Sequence, residues 1–320
     1  MALVVRSPKR RLSSDSHRAL VIKAFSTDLF VLPLPEGHRF PMEKYRQLRQ
    51  TVSSWPDLEV LEPPPASDDV LTLVHQAEYV RDLCSGALSD AAMREIGFPW
   101  SPAMVERSRR STGATMAAAH AALMGDGLGF NLAGGTHHAY ADRGQGFCCF
   151  NDAAVTARWV QQQGWAQRVL ILDLDVHQGN GTAAIFRDDP SVFTISVHGQ
   201  TNFPFEKERS DLDIGLAAGT EDEAYLQAVE ESLAVAQRAG PFDVLIYLAG
   251  ADPLASDRLG QLSVSLAGLG RRDEMVFEWA RAQGLAVAVA MAGGYSRPIE
   301  QTVLAHTQTI RAGLKVFSAD

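Results

Sequence analysis

Six apolar runs of strand length recur along the chain with amphipathic segments between most of them, and this alternation restricts the fold more than any other feature. The runs are "RALVIKAF" (18 to 25), "GFNLAGG" (129 to 135), "RVLILDLDV" (168 to 176), "SVFTISVHG" (191 to 199), "DVLIYLAGAD" (243 to 252) and "AVAVAMAGGY" (286 to 295). Segments 102 to 124, 151 to 163, 221 to 239, 265 to 283 and 297 to 314 carry apolar residues at three- and four-residue spacing, as helices with one buried face do. Continuously apolar strands are covered on both faces, and intervening helices supply the crossovers that parallel strands need. The expected fold is one α/β domain with a mostly parallel central sheet flanked by helices. Asn151 or Asp152 is placed to cap one helix, and Thr220 with Glu223 forms a capping-box pattern at another. Residues 33 to 100 are less regular, with "VLPLPEGHRFP" and "LEPPP" marking loops and helices beyond them; this segment is suited to cover one end of the sheet.

Composition narrows the partners. With 46% apolar and 21% charged residues, the chain has the balance of a soluble globular protein, and no apolar stretch is long enough to span a bilayer. A net charge of −9 argues against sequence-independent nucleic-acid binding, which needs clustered Lys and Arg. Cys84, Cys148 and Cys149 form no CxxC pair, and so sparse a count fits a reducing cytoplasm better than a disulfide framework. The opening "MALVVRSPKRRLSSDSHR" lacks the continuous apolar region of a secretory signal; residues 1–17 read as a flexible basic tail before a domain over 18–320.

Polar and glycine-rich clusters follow four of the apolar runs: "GGTHHA", "DLDVHQGNG", "GADPLASD" and "GGY". In an open parallel sheet, ligands bind at the carboxyl ends of the strands, so these clusters are expected to share one rim. If the chain stays extended, Asp173, Asp175 and His177 project to one side. Crowded carboxylates repel unless a cation or hydrogen bonds hold them. Asp175, His177 and, from another strand end, Asp252 would make a mixed nitrogen and oxygen set with an open position, as catalytic zinc prefers. A hydrogen-bonded network at a helix entrance is the other reading of the same residues. A metal-activated water needs a base, which His137 or His138 can supply, and Tyr295 can donate its hydroxyl to a developing oxyanion.

Taken in order, "GGTHHA", "GFCCFND", "DLDVHQGNGT", "GADPLASDRLG" and "GGY" resemble the zinc-dependent histone deacetylase family, which has the arginase/deacetylase fold. The resemblance covers most of residues 18 to 310. "HQGNG" and "DRLGQLSVS" look most like class IV, including bacterial members. It implies that Asp175, His177 and Asp252 bind Zn²⁺, that Asp173 orients His137, that His138 is the general base, and that Tyr295 polarises the substrate carbonyl. It also implies a backbone acceptor at Gly146 and an aromatic channel wall at Phe147. His38 in "EGHRFP" resembles the family's rim, and Phe203 or Phe205 in "TNFPFE" would extend the wall. A K⁺ or Na⁺ site would use Asp173, backbone oxygens of Asp175 and His177, and the Ser196 hydroxyl. Cys148 lies beside this channel with no partner to make it a nucleophile, and reads as packing.

Two positions depart from most of that family. Asn180 stands where other classes have an aspartate beside the second histidine, and Gln178 where histidine is common. The reaction implied is removal of acyl, chiefly acetyl, groups from lysine side chains or related acylated amines. Two alternatives differ in kind: a protein that binds acyl-lysine or a small amide without turnover, and a two-manganese ureohydrolase. The latter needs a DxD pair at the late strand end, where this chain has Asp252, Pro253 and Leu254.

Overall fold

The computed structural model describes residues 21–318. Residues 1–17 and the first part of the 18 to 25 run therefore lie outside the described residues. Eight parallel strands form one sheet: β1 (Ile22–Phe25), β2 (Leu58–Leu61), β3 (Leu128–Asn131), β4 (Val169–Asp173), β5 (Val192–Gly199), β6 (Leu212–Leu216), β7 (Val244–Leu248) and β8 (Ala286–Ala290). Their spatial order is β2-β1-β3-β8-β7-β4-β5-β6. Ten helices complete the described residues: α1 (Glu43–Val52), α2 (Asp68–Leu71), α3 (Ala77–Ser85), α4 (Asp90–Ile96), α5 (Pro102–Met124), α6 (Asp152–Gln162), α7 (Asn180–Phe186), α8 (Asp222–Ala239), α9 (Leu266–Ala282) and α10 (Glu300–Ser318). This is the flanked parallel α/β sheet expected from the alternation of apolar runs.

The pleat sorts each strand between two cores. Leu170, Leu172, Leu245 and Tyr247 pack with residues of α1, α8, α9 and α10. Val169, Ile171, Val244 and Ile246 point the other way and pack with α5, α6 and Phe186 of α7. A strand buried on both faces cannot alternate polar and apolar residues, which explains the continuous runs. A third cluster, including Leu71, Leu83, Ile96 and Phe98, joins α2 to α4 to the start of α5.

Two strands escaped the sequence reading, and both are sheet edges. β2 and β6 each carry exposed residues, with Glu59, Asp213 and Gly215 among them, so neither has the apolar run that marked the central strands. Short, partly polar strands are the usual form of a sheet edge. Of the two predicted caps, Asn151 accepts from Ala154 N at 3.0 Å. The capping box at Thr220 does not form. Helix α8 starts after Glu221, and the Thr220 hydroxyl donates to Ala217 O at 2.7 Å instead. Ser265 already occupies the neighbouring acid, donating its hydroxyl to Asp222 Oδ2 at 2.6 Å.

Candidate active site

The four polar clusters follow the carboxyl ends of β3, β4, β7 and β8, strands that are neighbours at the centre of the sheet. Asp173 is the last residue of β4, and the chain then leaves the extended conformation. Asp173 Oδ1 accepts from Asp175 N at 3.1 Å, and Asp175 Oδ1 accepts from His177 N at 2.9 Å. Alternation along an extended strand is therefore not what brings the three together: successive side-chain-to-backbone turns, of the kind aspartate favours, gather them.

Ligand atoms of Asp175, His177 and Asp252 all lie within 4.8 Å of one another. His177 Nδ1 is 2.9 Å from Asp175 Oδ1 and 3.2 Å from Asp252 Oδ2. Each carboxylate is aimed by backbone: Val176 N donates to Asp252 Oδ1 at 2.9 Å, and Gly293 N donates to Asp175 Oδ2 at 2.8 Å. Asp252 Oδ2 is buried without a hydrogen-bond partner, since the nearby His177 ring is misaligned for one. A β-carbon at position 293 would collide with Asp252 Oδ2 and fall 2.6 Å from Asp175 Oδ2, so only glycine leaves the cluster its space. Burial and the Asp175 carboxylate push Asp252 up to about 7. Burial disfavours a charged His177, yet the hydrogen bond to Asp175 and the adjacent Asp252 carboxylate raise it to about 10. An orphaned buried carboxylate oxygen, a second carboxylate and an imidazole nitrogen that demand positive charge fit a divalent cation.

Two imidazoles stand beside this cluster. His137 Nδ1 donates to Asp173 Oδ2 at 2.6 Å. His138 Nδ1 meets Asn180 Oδ1 at 2.6 Å, while the Asn180 amide nitrogen donates to Tyr140 Oη at 3.0 Å and Gln145 Oε1 at 2.8 Å. Those two acceptors turn the Asn180 carbonyl toward His138. The Nδ1 of His138 must therefore carry the proton, leaving Nε2 as a lone pair. The two Nε2 atoms are 3.2 Å apart, within hydrogen-bond distance. Burial disfavours charge on both rings. In His137 the Asp173 and Asp175 carboxylates outweigh it and raise the pKa to about 9. In His138 burial dominates, aided by His137 and His177, and holds the ring well below its ordinary value.

Tyr295 is buried at the far side of the cluster. Burial, with Asp175 and Asp252 nearby, keeps its phenol protonated far above the usual range. The cavity above these groups measures about 560 Å³, and its wall includes Phe40, Phe98, Phe147, Phe203 and Tyr295. Gly146 lies on the same wall; its carbonyl accepts from Cys148 Sγ at 3.4 Å. His38 does not reach the cavity. Its Nε2 meets Gly97 O at 3.0 Å and its Nδ1 accepts from Phe40 N at 3.1 Å, so it braces the aromatic wall from behind. Phe205 is 86% exposed and stands at the mouth. Ser196 is in register with Asp173, and its hydroxyl lies 3.0 Å from His198 Nδ1.

Several supporting residues were not visible as such in the sequence. Asp152 accepts from Gly135 N at 2.9 Å and Thr136 N at 2.7 Å, pinning the turn before His137. Asp257 accepts from Tyr295 N at 2.6 Å. Lys44, buried in α1, donates to Ala292 O at 3.3 Å and Gly294 O at 3.2 Å. Gln178, already marked in the sequence as a departure from most of the family, donates to Glu208 O and Asp213 Oδ1, both at 2.7 Å, and so ties the site loop to β6. Asp152 and Asp257 had a signal, because each is an acid inside a motif; Lys44 had none.

A parallel α/β sheet carrying a cluster that could hold a cation, paired imidazoles and a buried phenol at its carboxyl rim has the build of a metal-dependent hydrolase. The chain belongs to the histone deacetylase family: the histone deacetylase domain matches residues 38–310. It is 44% identical over 292 residues to an uncharacterized protein of Picosynechococcus sp., covering 90% of this chain and 97% of that one. It is 31% identical to Histone deacetylase 2 of Arabidopsis thaliana, covering 87% of this chain and 74% of that one. Among solved structures, the crystal structure of an HDAC homolog complexed with SAHA superposes with a TM-score of 0.79 at 25% identity, covering 94% of this chain and 85% of that one.

Proposed function

We propose that the protein is a zinc-dependent deacylase that hydrolyses acylated lysine side chains or related small acylated amines. The observation carrying this reading is the convergence of Asp175, His177 and Asp252 with the lone pair of His138 and the hydroxyl of Tyr295 at the base of one aromatic-walled cavity. Asp175, His177 and Asp252 would hold Zn²⁺, which when bound supplies Lewis-acid polarisation of the amide carbonyl and activates water. His138 Nε2 takes the proton of the attacking water and later returns it to the departing amine. His137, held by Asp173, keeps a proton beside that nitrogen. The Tyr295 hydroxyl donates to the carbonyl oxygen as negative charge grows there. Gly146, Phe147 and Phe203 line the acyl-lysine channel, and His38 stiffens it from behind. A K⁺ or Na⁺ ion near Asp173 and Ser196 belongs to the same proposal.

We assign the deacylase domain to residues 18–320 and a basic tail to 1–17, and place the enzyme in the cytoplasm; Cys84, Cys148 and Cys149 are all free thiols. Among the described residues no helix is long and apolar enough to cross a membrane. A two-manganese reaction is disfavoured because Pro253 and Leu254 follow Asp252 where a second carboxylate would be needed.

The test is metal analysis of the purified protein together with a panel of acyl-lysine peptides and acylpolyamines of varied acyl length, with and without chelator. Zinc at one ion per chain and chelator-sensitive turnover of at least one acylated amine are expected. Bound zinc with no hydrolysis of any of them would turn the reading toward a binding protein.

Asn180 makes a second prediction. His138 must be neutral to accept a proton, so activity falls as pH drops through its pKa, which burial depresses. The Asn180 carbonyl opposes that depression only through a neutral hydrogen bond, whereas a carboxylate would add a full negative charge. Asn180→Asp is expected to move the acidic limb of kcat/KM to higher pH by about 1 to 3 units. An unmoved limb in a folded variant would refute the pairing of Asn180 with the catalytic base.

A further inference from the structure

Asp252 stands two residues beyond Gly250, and behind Gly250 lies a buried ionic network that the reaction does not use. Arg272 and Asp273 of α9, Tyr225 of α8, Tyr247 of β7 and Thr309 of α10 are all between 0 and 1% exposed. Asp273 Oδ1 accepts from Tyr247 Oη at 2.6 Å, and its Oδ2 accepts from the Thr309 hydroxyl at 2.7 Å. Anchored from both the sheet and α10, Asp273 in turn holds Arg272 through Nε and Nη2, both at 2.9 Å. The remaining guanidinium nitrogen, Nη1, donates to Gly250 O at 2.6 Å, with the Tyr225 hydroxyl at 3.4 Å.

The opposite side of Gly250 faces the cation cluster. A β-carbon there would fall 2.7 Å from Asp175 Cα and 2.8 Å from both Asp175 Oδ2 and Asp252 Oδ1. The Gly250 backbone is thus wedged between a guanidinium and two carboxylates. Burying an ion pair merely to join helices is poor use of charge, because the desolvation cost is comparable to the attraction. Here the pair is geometrically over-determined, and its one outward bond ends on the peptide that spaces Asp175 from Asp252. Only a planar guanidinium can satisfy Asp273 with one edge and a carbonyl with the other.

We propose that Arg272 is a positioning residue for the Asp252 segment, setting the separation of Asp175 and Asp252 and hence the affinity for zinc. The inference rests on the reading of Asp175, His177 and Asp252 as metal ligands. Arg272→Lys keeps the buried charge but, as a point donor, cannot span both partners. Arg272→Met removes the charge as well. Val276→Ala, in the same helix and fully buried, costs packing without touching Gly250. Zinc affinity is measured by competition with a chromophoric chelator, alongside thermal unfolding.

Arg272→Lys is expected to weaken zinc binding about 10- to 100-fold, the range found when partners of metal ligands are lost, with kcat at saturating zinc within a few-fold of wild type. Val276→Ala should lower the melting temperature and leave zinc affinity unchanged. Zinc affinity in Arg272→Lys equal to wild type overturns the proposal, as does an equal weakening in Val276→Ala at matched stability. If Arg272→Met does not fold, the lysine variant decides alone. Wild-type protein that binds no zinc removes the metal reading, and this proposal with it.

Discussion

Replacement of His138 by alanine is expected to lower kcat for an acetyl-lysine substrate by about 10² to 10⁴, the usual worth of a general acid/base, while zinc stays bound. The two halves of that expectation come from different atoms. His138 is outside the three-residue group that can hold the cation. Its Nδ1 is committed to Asn180, so the basic site it offers is Nε2, beside His137. Loss of the ring strands the Asn180 carbonyl in a buried setting, which should cost about 1 to 3 kcal/mol of stability. Thermal unfolding and zinc content measured beside kcat separate that structural cost from loss of the base. Substantial residual turnover in folded, zinc-loaded His138→Ala would end the assignment and move attention to His137.

Tyr295→Phe isolates a single hydroxyl. Its ring neighbours, Phe40 at 6.5 Å, Phe147 at 6.4 Å and Lys44 Nζ at 5.2 Å between centres, remain in place around a phenylalanine. The backbone stays pinned by Asp257 and by Arg258 Nε, which donates to Tyr295 O at 3.1 Å. What disappears is a donor whose proton is secure at any working pH, because burial and two carboxylates disfavour the phenolate. Removing one oxyanion donor commonly costs about 10² to 10³ in kcat. A matching fall in kcat and kcat/KM, with KM nearly constant, is the signature of a contact made only in the transition state. A variant whose kcat stays within a few-fold of wild type would show that the hydroxyl does not touch the reacting carbonyl.

How far the sequence could be read differs sharply from one residue to the next. Asp175, His177 and Asp252 were legible because charged residues directly after apolar strands are chemically conspicuous. The reason they converge was not legible, since it depends on nested aspartate turns rather than on an extended strand. Phe147 and Phe203, expected on a channel wall, line the cavity, whereas His38, expected at its rim, is not among the lining residues. Its two ring nitrogens satisfy a backbone carbonyl and a backbone N–H that only the folded loop brings near. Strands β2 and β6 left no apolar run because the sheet edge buries them on fewer sides. Lys44 reads as an ordinary helix lysine, although it is buried beneath the Tyr295 turn.

The central sheet, the rim that carries the chemistry and the residue types at that rim were determined by the chain on its own. Those properties follow from periodicity and from what must be buried, and both are local in sequence. Tertiary structure alone decided the orphaned oxygen of Asp252, the proton placement on His138 enforced through Asn180, and the wedge that Arg272 drives behind Gly250. Each of these joins residues tens of positions apart through bonds near 3 Å or shorter. Composition and spacing carry no record of such distances; hydrogen-bond geometry in a desolvated interior does.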